Sequence, residues 1–326
     1  MTTLETVNPP ERHLTYILSA EDWLKADFSI AESEVIVGTA NNPLIRPLTK
    51  NLIQAPEKAF KTTFLMRLAL GLSTVQTVFS SLPVKNSRRV LYLHGELAPA
   101  ELKERVLEAA ADLKRPLDNF FQGRSLTASL VTISGQEAIR QLVDEYKPQV
   151  LVIDPWQSFI AGAEENSFKE VSPATVFMDK LIVECGVTII LAIHEGKDHS
   201  RGARGHSILA GWRDTLFALK RSGTTLTVKV EPRWAKPPDD LKLTFQDGTL
   251  WEGDGSRWTK QAEDIRALLS ANQGRLSREA IGLGLDLKGS ALRTALMRAQ
   301  AKGAIHVDEG VVTLPPSPPS SPNHPF

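Results

Sequence analysis

The chain has 326 residues, 42% of them hydrophobic and 23% charged, with 38 Lys+Arg against 38 Asp+Glu. This is the composition of a soluble globular protein with room for one α/β domain and a smaller second one, and its zero net charge excludes nucleic-acid binding through bulk charge. The single cysteine, Cys185, cannot close an internal disulfide, no window approaches a membrane span, and the start has no apolar stretch long enough for a signal peptide. The expectation is therefore a cytoplasmic protein with an inert buried thiol and no membrane contact.

Residues 1–33 read as an extension that leans on the main domain or a neighbouring subunit. From Glu34 onward, short β-branched runs alternate with longer helical ones. Strands are expected at Val35–Gly38, Leu52–Gln54, Val90–Leu93, Val150–Ile153, Thr188–Ile193 and Leu216–Lys220. Helices are expected at Thr62–Val75, Pro99–Leu113, Gln136–Tyr146 and Pro173–Cys185. Strand then helix, repeated, predicts a mostly parallel sheet covered on both faces. Two alternating runs, Thr225–Pro232 and Asp240–Glu252, predict antiparallel strands at one edge, with Asp247–Gly248 as a hairpin turn. That core spans 34–256.

A second unit, 257–314, carries three stretches of helical spacing with N-caps at Thr259 and Ser277 and a stop at Gly303. Two short strands follow around Glu309–Gly310. Three helices and a β-wing predict a winged helix-turn-helix. Residues 315–326, "PPSPPSSPNHPF", hold too little apolar surface to fold.

The informative stretch is "NLIQAPEKAFKTTFLMRL", where a strand ends, a loop follows, and a helix opens at Lys61-Thr62. In this context the loop Ala55, Pro56, Glu57, Lys58, Ala59, Phe60, with Lys61, Thr62 and Thr63, would cradle a triphosphate through backbone N–H groups and a helix N-terminus. Lys61 would reach the β/γ oxygens and Thr62 would bind Mg²⁺. Glycine belongs at both Ala55 and Phe60, because backbone approaches phosphate closely there and some positions need φ > 0. Taken alone, the stretch reads equally well as a solvated turn before an amphipathic helix.

Three further strands end in polar residues. Asp154 follows "VLVI" and could hold the Mg²⁺ water shell. Glu96, after "VLYLHG", could polarise an attacking water. His194 ends "TIILAI", within reach of a γ-phosphate in such a sheet. A turn-capping Asp, a solvated Glu and a polar strand terminus are the plain alternatives for each. A metal site built from His194, Glu195, His199 and His206 matches no common zinc spacing.

The segments "APEKAFKTTF", "RVLYLHGELAPAELKERV", "VLVIDPWQSFIAGAEENS", "TIILAIHEGKDHSRGARGHSILAGWRDTLFALKR" and "VKVEPRW" together resemble the RecA-fold ATPases typified by the plasmid RepA replicative helicases and, more distantly, the DnaB-type helicases. The resemblance covers Val35 to Glu252. It implies a RecA-like P-loop core that hydrolyses ATP with Mg²⁺ between adjacent subunits of a homo-oligomeric ring, such as a hexamer, moving on DNA. Lys61 and Thr62 would hold triphosphate and metal, with help from Lys58. Asp154 would order Mg²⁺, Glu96 would be the catalytic base, and His194 the γ-phosphate sensor. Lys229 or Arg233 would present a basic finger to the neighbour's nucleotide. The alternative is a nucleotide-switched DNA-binding loader or regulator with little or no turnover, which the missing glycines favour.

Two elements suit DNA. The polar loop after His194 carries Lys197, Arg201 and Arg204, placed to track a single-stranded backbone. In the C-terminal unit, Thr259 to Ile305 holds eight Lys/Arg against four Asp/Glu. Lys288 and Arg293 on the third helix could face a major groove of double-stranded DNA, with Arg278 near phosphates. Protein contact is the other use of such a unit.

Overall fold

A computed structural model of the chain describes residues 19–25, 29–113, 115–124, 128–165, 167–195, 207–253, 260–301 and 304–314. The chain divides into two compact units, Met1–Glu252 and Gly253–Phe326.

In the first unit a short helix α1 (Ala20–Lys25) precedes a hairpin of β1 (Val37–Thr39) and β2 (Asn42–Ile45). Then come β3 (Lys50–Ala55), α2 (Lys61–Thr74), β4 (Val90–His94), α3 (Pro99–Ala110), β5 (Phe120–Arg124), α4 (Ile133–Tyr146), β6 (Val150–Asp154), α5 (Phe168–Cys185), β7 (Thr188–His194) and α6 (Ser207–Trp212). Strands β8 (Thr215–Ser222), β9 (Thr225–Pro232), β10 (Leu241–Gln246) and β11 (Thr249–Glu252) close the unit. Nine strands form one sheet in the order β11-β10-β9-β8-β3-β7-β6-β4-β5. From β8 to β5 the pairing is parallel, and from β8 to β11 antiparallel.

Alternate residues of the central strands enter two cores. Ile53, Tyr92, Val152 and Ile190 join α2 and α3 on one face, whereas Leu52, Leu91, Leu151 and Ile189 join α4 and α5 on the other. Both faces are covered, which is why these strands read as continuous apolar runs. Helix α2 is buried almost all round, and its Arg67 survives there because Asp112 and the Ala109 carbonyl accept from its guanidinium. The Asp247–Gly248 turn has φ of 50° and 76°, the left-handed pair of a two-residue hairpin.

Three features depart from the expected pattern. The β1–β2 hairpin is longer than the one strand expected at Val35–Gly38, and β5 is an additional edge strand. Helix α5 begins at Phe168, not at Pro173, which lies inside it. A helix tolerates Pro173 because the carbonyl it would have bonded, that of Lys169, accepts from the Ser172 hydroxyl at 3.4 Å.

The second unit contains α7 (Lys260–Ala271), β12 (Arg275–Ser277), α8 (Arg278–Gly284), α9 (Gly289–Ala301), β13 (His306–Asp308) and β14 (Val311–Thr313). The three strands form a small antiparallel sheet, with β14 between β12 and β13. Ser277 caps α8 by accepting from the Ala280 N–H at 3.1 Å. Ile265, Leu269, Ile281, Leu296 and Val312 fill its core. The expected N-cap Thr259 and helix stop Gly303 lie outside the described residues, as does the expected tail.

Candidate active site

The C-terminal ends of β3, β7, β6 and β4 are adjacent in that order, because β7 lies between β3 and β6. Register pairs Ala55 with His194 and Asp154 with His94. The sheet therefore delivers the loop 56–60, His194, Asp154 and the turn holding Glu96 to one edge, the usual location of ligand sites in open α/β sheets.

Lys61 opens α2 and is buried. Burial lowers its pKa, opposed by the charges of Asp154, Glu96, Glu165 and Glu57 in that order. Its Nζ lies 3.1 Å from Nδ1 of His194, whose Nε2 is 3.9 Å from Oε1 of Glu96. Burial and the Lys61 charge both push the His194 pKa below its ordinary value, so the ring is neutral at pH 7. Accepting from Lys61 at Nδ1 then leaves the proton on Nε2, facing Glu96.

Asp154 is fully buried. The Tyr92 hydroxyl donates to its Oδ2 at 2.6 Å, and Nε2 of buried His94 is 3.6 Å from the same oxygen. Burial and the Asp154 charge push Tyr92 well above the ordinary tyrosine range, which keeps it a donor. His94 Nδ1 accepts from the backbone N–H groups of Glu96 and Leu97, at 3.0 and 3.1 Å. One imidazole thus ties the Asp154 strand to the turn that carries Glu96. Gly95 permits this turn, since a Cβ there would overlap the Ser158 side chain. Tyr92 and His94 were not among the residues expected from sequence. The available signal was a pair of polar-tipped aromatics two apart in an otherwise aliphatic buried strand.

The phosphate-loop question turns on Phe60. Lys58 and Phe60 adopt left-handed backbone, with φ of 58° and 57°, the conformation glycine supplies without strain. For other residues it costs about 1–2 kcal/mol each. The Phe60 ring is held by the C-terminal strands: it stacks on Phe245 of β10, centroids 4.4 Å apart and planes within 8°. Arg221 of β8 covers it at 4.1 Å. Among the described residues, the backbone N–H groups of Lys58 and Phe60 donate to no protein acceptor. Asp154 Oδ1 is likewise buried without a hydrogen-bond partner. Bare loop donors and a spare buried carboxylate oxygen fit a polyphosphate with a divalent cation, which Asp154 and the half-buried Thr62 hydroxyl could hold.

Beside the loop, a cavity of about 880 Å³ is lined by Pro56, Glu57, Lys58, Ala59, Arg221 and Lys229, among others. Lys229 pairs in register with Ala218, and Ala218 with Gln54, so it stands at the loop's end of the sheet. It is exposed and ion-paired to Glu231 at 2.9 Å. Arg233 stands at the other end. Its N–H donates to the Asp214 carbonyl, Asp214 donates to that of Lys50 at the start of β3, and the guanidinium is 3.6 Å from the Asp214 carboxylate. Lys197, Arg201 and Arg204 lie outside the described residues. In the second unit Arg278, Lys288 and Arg293 are exposed. Along α9, Ser290, Arg293, Met297 and Gln300 present one outward face, while Ala295, Leu296 and Ala299 face inward.

Residues 39–200 match a family model described as an AAA domain. The match runs from the end of β1 past β7 and includes Lys61, Thr62, Glu96, Asp154 and His194, but neither Lys229, Arg233 nor the second unit. The similarity is to a nucleotide-binding ATPase domain, and the large, mostly parallel sheet agrees with a RecA-like P-loop core. No curated protein matches the chain. No helix among the described residues is long and apolar enough to cross a membrane.

Proposed function

We propose that the chain is an ATP-driven motor acting on DNA, a ring-forming replicative helicase of plasmid or phage type that hydrolyses ATP at subunit boundaries. The observation that carries the reading is the convergence of Lys61, His194, Glu96 and Asp154 on one sheet edge beside a loop in which the N–H groups of Lys58 and Phe60 are bare. Lys61 binds the β/γ oxygens, and the loop amides orient the triphosphate. Glu96 accepts the proton of the attacking water, with His194 Nε2–H holding its carboxylate toward the γ-phosphate. Thr62 and Asp154 would hold Mg²⁺, which when bound would supply neutralisation of charge on the transferred group. Lys229 is the finger offered to a neighbouring subunit, released from Glu231 when that subunit docks; Arg233, engaged by Asp214 at the opposite end of the sheet, is not.

The second unit is a winged helix that binds double-stranded DNA through Lys288, just before α9, and Arg293 of α9, with Arg278 near phosphates. Lys197, Arg201 and Arg204 contact the single strand. Replacement of both loop glycines favours a second reading, a nucleotide-switched loader that binds ATP with little turnover.

DNA-stimulated phosphate release decides between them. Turnover that collapses in both Lys61→Ala and Glu96→Gln, with ATP binding kept only in the latter, supports the motor. ATP binding without turnover in the unaltered chain supports the switch, and absence of binding removes both.

A further inference from the structure

We propose that Arg221 is a positioning residue that clamps the phosphate loop and does the work of the glycine missing at Phe60; the proposal rests on the nucleotide reading above. Two non-glycine residues, Lys58 and Phe60, hold left-handed backbone within three positions of each other. Left alone, such a segment relaxes toward right-handed or extended backbone and re-aims its N–H groups. Three contacts oppose that relaxation, and Arg221 supplies two of them. Its Nη1 donates to the Lys58 carbonyl at 2.6 Å, and its guanidinium plane covers the Phe60 ring. Phe245 supports the other face of that ring. Arg221 is itself oriented by donating from Nε to the Gly223 carbonyl at 2.8 Å, in the turn between β8 and β9.

The bulky side chain at the glycine position is therefore the handle by which the cradle is held. Because the handle is gripped from β8, a shift of the β8–β9 hairpin moves the Lys58 carbonyl with it. The same hairpin carries Lys229, so the loop and the finger share one support.

The test is equilibrium binding of a fluorescent ATP analogue to the full chain, with steady-state phosphate release alongside. Arg221→Ala should weaken binding and raise KM at least tenfold, while kcat at saturating ATP stays within about twofold, because Arg221 touches no reacting atom. Arg221→Lys should recover little, since one ammonium cannot cover a ring and hold the carbonyl together. The deciding variant is the double change Phe60→Gly with Arg221→Ala. Glycine holds left-handed backbone unaided, so Arg221→Ala should cost less than threefold in that background. Phe245→Leu should behave as a milder Arg221→Ala, and replaces it if Arg221→Ala does not fold. Equal binding by the unaltered chain and Arg221→Ala overturns the clamp alone. So does a full tenfold loss in the Phe60→Gly background, which would mean that Arg221 contacts the nucleotide directly. An unaltered chain that binds no nucleotide overturns the nucleotide reading and the clamp with it.

Discussion

Nζ of Lys61 lies 3.1 Å from Nδ1 of His194, so the lysine expected to receive phosphate already donates to a neutral imidazole on the adjacent strand. A triphosphate must take Lys61 from that partner, and the two residues thus have separable effects. His194→Ala should leave ATP affinity unchanged or slightly tighter, while kcat falls about 100-fold because Glu96 loses its Nε2–H neighbour. Isothermal titration and single-turnover phosphate release separate the two effects, and a parallel loss of affinity would contradict this account.

His94 acts on Glu96 through backbone, with Nδ1 as acceptor. Asparagine places an oxygen near the Nδ1 position and glutamine near Nε2. His94→Asn should therefore keep kcat within about tenfold, while His94→Gln and His94→Ala fall about 100-fold or more. Similar activity in the two amide variants would leave the ring a purely packing role.

Gly95 allows the turn before Glu96 to lie against Ser158. Gly95→Ala should displace Glu96 and cut kcat at least tenfold with ATP binding retained. Adding Ser158→Gly removes the obstructing Cβ and should return most of the loss. Failure of that rescue, with the double variant folded, would mean that the glycine matters for another reason.

Glu252 ties the end of β11 to the turn after α2, accepting from the Ser80 N–H and from the Ser81 hydroxyl at 2.9 Å. Burial raises its pKa, but these hydrogen bonds outweigh burial and hold it below the usual 4.5. A carboxylate with a depressed folded-state pKa stabilises the fold above its unfolded value and loses that contribution as pH falls through the folded value. Glu252→Gln should lower Tm at pH 7 by about 2–4 °C for a loss of about 1 kcal/mol. The difference from the unaltered chain should shrink as pH falls below 4.5 and vanish once the folded-state carboxylate is protonated. A Tm difference that persists in acid would show that the carboxylate charge is not responsible.

On α9, Arg293 shares an outward face with Ser290, Met297 and Gln300. Arg293→Ala and Lys288→Ala should each weaken binding of a duplex oligonucleotide. If the contact is to phosphate, each should also reduce the slope of log K against log salt by about 1. Anisotropy titrations across a salt series measure both. Unaltered affinity and slope in both variants would direct the second unit toward protein contact instead.

Much of the site could be read in the sequence because each polar residue ends an apolar run: Ile193 before His194, Ile153 before Asp154. In a sheet buried on both faces, such a break can fall only at an edge. The Tyr92–Asp154–His94 cluster was not legible in the same way. It depends on which strand neighbours which, and on His94 coming level with Asp154, neither of which lies within a local window. Pro173 misleads for a related reason: whether a helix begins at a proline or contains it depends on where the orphaned carbonyl finds a donor, here Ser172. Lys229 and Arg233 looked equivalent because four positions in a chain say nothing of direction, whereas along β9 they separate by roughly 13 Å, enough to set them at different ends.

Phe60 carries a wider consequence. Its identity argues against a nucleotide site, yet its φ of 57° is what glycine would have provided there. The requirement at such a position is for a torsion angle, and glycine is only its least demanding carrier. A chain that supports the angle from a distant strand can abandon the glycine, and its loop then falls outside any pattern written in letters. A chain with a bulky residue at this position, an arginine on the last parallel strand and an aromatic on the antiparallel extension would carry the same support.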